Sequence, residues 1–197
     1  MKIKFQFLIL ALGAAFLISA TKINTESYYP LSVGSWWKYS IKSRMGQSSM
    51  TDSIISEYVN NQKRYFVFLQ RNNEDTITSF YYYRSDEGKT IWELTQNDFV
   101  ENKFLDFSMN FGDSIRVGKA YPNSNNKTLM IFQEDFKSIK IDGVHYSNVK
   151  KMLLKNYLKI QDRTDINVDT LYFAKGIGLI YARSPQAEIK LVDHFIK

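Results

Sequence analysis

The chain has 197 residues, of which 44% are hydrophobic and 15% aromatic, and it contains no cysteine. This length suits one domain with a full hydrophobic core. The lack of cysteine excludes disulfides, thiolate catalysis, cysteine-ligated zinc and a lipid-modified N-terminal cysteine. The formal net charge is +6, and because the basic residues are scattered along the chain, no nucleic-acid partner is expected.

Residues 1–20 predict a secretion signal. Two lysines open this stretch, residues 5–18 form an almost unbroken apolar run, and small residues follow up to Ala20. The run is short for a membrane helix, which needs about 20 apolar residues, and no basic stop-transfer cluster follows it. We therefore expect a cleaved signal peptide, a single β domain over residues 21–197, a secreted or periplasmic location and no integral membrane segment after cleavage.

Residues 28–43 predict the first strand of the fold. From Trp37 onward, large apolar side chains alternate with polar ones, which is the period of two expected when one sheet face is buried. Before the strand, Pro30 and Gly34 indicate a turn that brings the chain to the sheet.

Turn signals recur at short intervals after this strand and separate about ten to twelve strand-like runs in total. Residues 65–70 are apolar on both faces, as in a central strand that is covered on both sides. Asp142 and Gly143 form a dipeptide typical of hairpin turns. The C-terminal third predicts strands over residues 129–136, 138–141, 144–146, 149–160, 170–174, 177–183 and 188–195.

Residues 96–111 allow two interpretations. Val100, Phe104 and Phe107 fall at helical spacing and would suit one short amphipathic helix. The alternation of apolar and polar residues over 105–111 favours an extended segment that ends at the following Gly-Asp turn. We expect the extended form.

These patterns predict an all-β fold with a single large curved antiparallel sheet, arranged as a half-barrel or an open barrel. A β-sandwich is the alternative arrangement.

Three stretches that span most of the chain carry a resemblance to a known class of protein. They resemble a loose group of secreted or lipid-anchored bacterial envelope proteins of uncharacterised function, similar in style to lipoprotein carriers, whose open half-barrel holds lipid. Because this chain lacks the lipid-attachment cysteine, the resemblance implies a free secreted or periplasmic protein. The stretches are Tyr28-Tyr29-Pro30-Leu31-x-x-Gly34-x-x-Trp37-x-Tyr39, Asp106-Phe107-Ser108-x-x-x-Gly112-Asp113-Ser114 and Tyr172-Phe173-Ala174-Lys175-Gly176-Ile177-Gly178-Leu179-Ile180.

Aromatic side chains supply the candidate ligand-binding residues. Trp36, Tyr81, Tyr83 and Trp92 would line a concave apolar pocket, because ligand sites are apolar clefts with a few polar groups. The alternative is that these residues belong to the hydrophobic core. Strand alternation requires Tyr81 and Tyr83 to share one sheet face.

Catalytic and metal-binding patterns are sparse. His145 and His194 belong to no ligand-spaced cluster and no nucleophile motif, so we expect both to be partly buried sheet residues. Asp165, Asn167 and Asp169 are candidate oxygen ligands for calcium, but the glycine and glutamate of an EF-hand are missing at the required positions. The alternative is a polar hairpin turn, and no metal or cofactor is predicted.

The composition and motifs favour an exported, non-enzymatic protein that binds a hydrophobic or lipid-like ligand or another envelope component, either a protein or a glycan. A carbohydrate-active enzyme is the first alternative, with Asp106, Asp113 or Glu134 as its carboxylates, since glycosidic chemistry needs two carboxyl groups across a cleft. A structural or adhesive role is the second.

Overall fold

The computed structural model describes residues 26–118, 127–160 and 163–197. The predicted signal peptide lies outside these ranges, as do residues 121–126 of the segment 121–127, whose asparagine-rich sequence predicts a loop. The described residues contain twelve strands and no helix, so the possible short helix is absent and none of these residues forms a helix able to cross a membrane. The strands are β1 Trp36–Ser43, β2 Gly46–Asn60, β3 Lys63–Asn72, β4 Ile77–Asp86, β5 Thr90–Leu94, β6 Glu101–Asp106, β7 Ser114–Val117, β8 Lys127–Ile141, β9 Val144–Ile160, β10 Arg163–Ala174, β11 Gly178–Arg183 and β12 Ala187–Phe195.

All twelve strands belong to one antiparallel sheet in the order β6-β5-β4-β3-β2-β1-β12-β11-β10-β9-β8-β7. The sheet curls until β6 and β7 lie side by side, and in the described residues one backbone hydrogen bond joins them, from the amide of Gly118 to the carbonyl of Lys103 at 2.9 Å. The fold is therefore a nearly closed barrel with one unsealed seam. This confirms the all-β prediction and the open barrel, and excludes the sandwich.

The strands β1 and β12 join the two ends of the described chain. Trp36 pairs with Phe195 and Ser43 pairs with Ala187 along the full length of β1. Beyond the strands, the amide of Lys197 donates to the hydroxyl of Ser35 at 3.1 Å. The barrel is thus closed on this side by residues that are far apart in sequence.

The C-terminal third forms fewer and longer strands than the sequence indicates. Residues 129–141 lie within the single strand β8, which bends at a bulge between Phe132 and Glu134. The following strand β9 continues through Asn148, which takes a positive φ of 51° without ending the pairing. Polar residues at Lys137 and at Ser147 and Asn148 interrupt the apolar pattern, but the pairing continues across them from Phe136 with Val149 to Ser138 with Ser147. The hairpin turn itself is confirmed, with positive φ at both Asp142 and Gly143.

The extended segment predicted up to residue 111 is correct only as far as Asp106. The Asp106 carboxylate accepts hydrogen bonds from the backbone amide of Ser108 at 3.0 Å and from its hydroxyl at 2.5 Å. Such a side-chain bond to the backbone two residues ahead favours a turn. The strand therefore ends, and Phe107 and Met109 enter the core while Phe111 is 79% exposed.

Residues 26–35 cross one end of the barrel, and we call them the N-terminal plug. We call this end, which carries the β4–β5 and β10–β11 turns, the lower end. The Ser27 carbonyl accepts the amide of Gly176 at 2.7 Å, and the Ser27 hydroxyl donates to the Gly88 carbonyl at 3.3 Å. The ring of Tyr29 contacts aromatic rings from β3, β4, β6 and β10. Because these strands lie on opposite sides of the barrel, the plug fills the space between them.

Gly178 allows the β10–β11 turn to lie against Trp37. A Cβ atom on Gly178 would come within 3.3 Å of the Trp37 Nε1, which is fixed by donating to the Ile177 carbonyl at 2.5 Å. The φ of Gly178 is also +107°, a value that other residues rarely adopt. The close backbone approach in this segment is therefore at Gly178.

We expect Gly178→Ala to lower the free energy of unfolding more than Gly46→Ala does. Both glycines have positive φ, but a Cβ on Gly46 meets no atom within 4 Å. The shared backbone cost is about 1–2 kcal/mol, and the contact with Trp37 adds at least about 1 kcal/mol. Urea unfolding of both variants measures the difference, and equal losses would contradict the contribution of the Trp37 contact.

Candidate functional site

The interior of the barrel above the N-terminal plug is the candidate functional site. Paired residues on neighbouring strands share a face, so the buried Trp37 identifies the inward face of β1. Asp52 pairs with Trp37 and Gln70 pairs with Asp52. Tyr81 pairs with the inward Phe68 on β3, and Glu93 pairs with the inward Tyr83. Aromatic and polar side chains therefore meet inside one half of the sheet.

The interior is wider than its own side chains can fill. A barrel of about eight strands is just wide enough for side chains to fill it, and this one has twelve. Tyr29 lies among strands from both sides of the barrel, yet it retains accessible surface, which places open space beside its ring. Other inward apolar residues are likewise only half-buried although they contact the core: Met50, Phe66, Tyr81, Phe104, Ile115, Leu154 and Leu171.

Several polar groups in this space lack partners. Tyr39 is 4% exposed and Tyr83 is 6% exposed, and neither hydroxyl has a hydrogen bond within the described chain. Among the described side chains, the Ser85 hydroxyl is the one fully enclosed polar atom without a partner. The tyrosine hydroxyls must therefore reach space that water can enter. Buried polar groups are normally satisfied, so these two point to an occupant of that space.

Two carboxylates face the same space without a cation. Asp52 accepts one hydrogen bond, from the Gln70 amide at 3.1 Å, and neither Asp52 nor Glu93 forms an ion pair within the described residues. Burial raises the pKa of Asp52 to about 6, although the bond from Gln70 acts in the opposite direction. Burial also raises the pKa of Glu93.

The tyrosines lie near enough to the two carboxylates for those charges to act on their pKa values. Burial is the main cause that raises the pKa of Tyr29 well above its usual value, and the charges of Asp52 and Glu93 add to it. The same causes act on Tyr83. For Tyr39, burial is followed by the charge of Asp52.

Basic residues on these strands face away from the interior. Lys38 and Lys42 alternate with the inward residues of β1, and Arg71 and Arg84 do so on β3 and β4. Arg84 pairs with Glu101 on the outer face. In residues 36–106, which the structure describes completely, no lysine or arginine side chain balances Asp52 or Glu93.

A polar cluster lies inside the opposite half of the sheet, at the end of the barrel away from the plug, which we call the upper end. The hydroxyl of Thr128 donates to the Asn156 side-chain oxygen at 2.8 Å, and the Asn156 amide donates to the Asp169 carboxylate at 3.1 Å. These residues line an open cleft of about 540 Å³. The interior thus has an apolar and aromatic wall with polar groups toward its upper end.

The structure separates the four aromatic residues predicted to bind ligand. Tyr81 and Tyr83 lie inside the barrel with their rings stacked at 5.9 Å. Trp36 alternates with the inward Trp37 and faces outward. Trp92 also lies on the outer face, where its indole donates to Asp86 at 2.7 Å and Arg84 lies over its ring.

The candidate calcium ligands lie in a different structure from the predicted hairpin turn. Asp165, Asn167 and Asp169 all belong to β10, because each pairs with a residue of β9. The three residues alternate along the strand, so their side chains lie on one face of it. No group of acidic or histidine residues in the described ranges is arranged to hold a metal.

The two histidines and the three candidate catalytic carboxylates lie apart from the interior site. His145 and His194 are exposed, which corrects the expectation of partial burial.

Hydrogen bonds to Asp106 from Ser108, together with its ion pair with Lys103 at 2.9 Å, outweigh the effect of burial and lower its pKa.

The remaining two carboxylates lie near the lower end. Asp113 accepts the backbone amide of Asn110 at 2.8 Å, and Glu134 is exposed at the bulge of β8. Glu134 lines a second cleft of about 780 Å³ beside the loop over residues 107–111. Two of the charged residues that line this cleft are paired with each other, because Lys150 contacts Asp135 at 3.1 Å.

Sequence reasoning missed Tyr29, Tyr39, Asp52, Gln70 and Glu93. One signal was present, because Asp52 occupies the inward position between Met50 and Ile54 on an alternating strand. A charged residue at a core position is costly unless it is paired or serves a function.

Comparison with known proteins shows the fold and no family. No protein-family model matches the chain, and no curated protein matches it in sequence. A Bacteroides fragilis protein with a YmcC-like fold, designated an exported protein, is 12% identical with a TM-score of 0.56. A Parabacteroides distasonis protein designated a lipoprotein is 12% identical with a TM-score of 0.51. Each alignment covers 86% of this chain and 99% of the other, so the likeness extends over nearly the whole of both structures.

We expect Asp52→Asn to stabilise the protein above pH 6. The pKa of Asp52 is raised from 3.8 to about 6 in the folded state, so its contribution to stability is greatest below pH 4 and falls as the pH rises through this window. At neutral pH the raised pKa of Asp52 lowers the free energy of unfolding by at most about 3 kcal/mol.

Urea unfolding at pH 4 and pH 7 measures this effect. Asp52→Asn should match the wild type at pH 4 and exceed it at pH 7, whereas the exposed control Glu74→Gln should match it at both. If the free energy of unfolding of Asp52→Asn differed from that of the wild type by the same amount at both pH values, the raised pKa of Asp52 would be contradicted.

Proposed function

We propose that this protein is an exported, non-enzymatic binding protein whose barrel interior holds a hydrophobic or lipid-like ligand. The observation that carries the proposal is the set of half-buried apolar and aromatic side chains inside a barrel of twelve strands. Apolar surface that remains accessible inside a fold gains free energy when a ligand removes it from water. The lining is mainly apolar with few polar groups, which is the usual composition of a ligand pocket.

Export is supported by two independent observations. Residues 1–20 have the charged start, apolar run and small residues of a secretion signal. The two similar structures are designated an exported protein and a lipoprotein. We extend the extracytoplasmic location, secreted or periplasmic, to this chain.

The architecture favours entry of the ligand at the upper end. The plug closes the lower end with hydrogen bonds to both neighbouring turns. Tyr81 and Tyr83, the two predicted binding residues that lie inside, would contact the ligand through their rings. Trp36 and Trp92 are outside this space and are not part of the proposed site.

Docking to another envelope component is a second candidate function. Phe80, Ile77 and Ile55 are exposed on β2 and β4. Phe80 alternates with the inward Tyr81, so it lies on the outer face. These exposed apolar side chains are the groups through which docking would take place.

Native mass spectrometry combined with lipid extraction tests the ligand-binding proposal. The full chain is produced with its own leader in an exporting host, and we expect a co-purifying apolar molecule at near-stoichiometric level. Tyr81→Ala should weaken retention about tenfold, because it removes a half-buried ring from the interior. Trp92→Ala, which removes a ring from the outer face, should leave retention unchanged.

Protein that remains free of any apolar molecule, even after incubation with envelope lipids, would contradict ligand binding and leave docking through the outer apolar surface as the function to test. Equal loss of ligand from Tyr81→Ala and Trp92→Ala would contradict the interior as the site.

A further inference from the structure

Building on the proposed function, we infer that the ligand of the barrel interior carries an organic ammonium group, which the tyrosine cluster and the carboxylates of Asp52 and Glu93 receive. By the tyrosine cluster we mean Tyr29, Tyr39, Tyr81 and Tyr83. The group is a protonated amine, which presents both a positive charge and N–H donors.

The first step of the argument is the missing positive charge. Asp52 and Glu93 are both partly buried, and neither has an ion-pair partner in the described residues. Carboxylates in such places are normally paired or neutralised, because an unpaired buried charge is costly. A cationic ligand would supply the partner that the chain itself does not.

The second step is the pair of unpartnered hydroxyls. Tyr39 and Tyr83 are more than nine-tenths buried, and their hydroxyls have no hydrogen bond in the described chain while remaining open to the interior space. Phenol oxygens accept hydrogen bonds as well as donate them. An ammonium N–H donor is therefore matched by the hydroxyls and by the two carboxylates.

The third step is the arrangement of aromatic faces. The Tyr29 and Tyr83 rings meet edge to face at 5.9 Å, and the Tyr83 ring is stacked against Phe104 at 4.9 Å. Tyr81 extends this group with a nearly parallel ring beside Tyr83. The accessible parts of the Tyr29 and Tyr81 rings favour a cation, because a ring face that no other ring covers presents partial negative charge.

The lower end of the same barrel already contains such an arrangement. The Lys150 ammonium lies 4.4 Å from the centre of the Phe132 ring and 5.4 Å from that of Tyr28. It also forms an ion pair with Asp135 at 3.1 Å. Beside Tyr29, aromatic rings and the carboxylates of Asp52 and Glu93 also lie together, but no lysine or arginine of the described residues pairs with them.

Three amphiphiles with the same twelve-carbon chain test this inference by titration calorimetry on the full exported protein. They are dodecylammonium, dodecyl maltoside and dodecyl sulfate, each below its micelle concentration at neutral pH. We expect the cationic probe to bind at least about tenfold more tightly than the neutral one. The anionic probe should bind most weakly, because both carboxylates repel it.

Charge-removing substitutions locate the effect. Asp52→Asn and Glu93→Gln should each weaken binding of the cationic probe about tenfold more than binding of the neutral probe. Glu74→Gln removes a carboxylate from an exposed turn and should change neither. Because both interior substitutions keep the side-chain shape, unfolding curves should confirm that each variant remains folded.

The outcomes separate this inference from the function on which it rests. Equal affinity for the cationic and neutral probes would overturn the ammonium preference and leave ligand binding intact. A cationic preference that survives both Asp52→Asn and Glu93→Gln would overturn the role of these carboxylates. If no probe binds, the ligand-binding proposal fails and the inference fails with it.

Discussion

The width of the barrel is the constraint on which the rest of the structure depends. Twelve strands enclose more space than their inward side chains can occupy. At the lower end the chain fills this space with the N-terminal plug, whose Tyr29 ring contacts strands from both sides. At the upper end the inward residues remain half-buried. The same geometry therefore produces a packed core and an accessible interior in one molecule.

Carboxylates near the lower end of the barrel are paired differently from those above the plug. Near the lower end, carboxylates are matched: Asp106 binds Lys103 and Ser108, and Asp135 binds Lys150. Above the plug, Asp52 and Glu93 have no cation. Residues that only stabilised the fold would be expected to follow the first pattern, since an unpaired carboxylate lowers stability. The contrast is the main reason to assign function to the interior.

Strand alternation allowed much of the fold to be predicted, because it depends on local sequence. The inward faces of Trp37 and Tyr81, the hairpin at Asp142 and the curved sheet all follow from it. It could not show which residues converge inside the barrel, since that depends on pairing between β1 and β12 and on the position of the plug. Trp92 and Tyr83 therefore looked equivalent in sequence although they lie on opposite faces.

The pairing of β1 with β12 has a consequence for the order of folding. β1 can form its hairpin with β2 as soon as both are available, but its other edge has no partner until β12, at the far end of the described chain, is present. Contacts between such distant residues form slowly, because a long loop must close first. Until then β1 presents an open strand edge that invites pairing with other chains. Nascent molecules therefore need protection from aggregation until the final strand arrives.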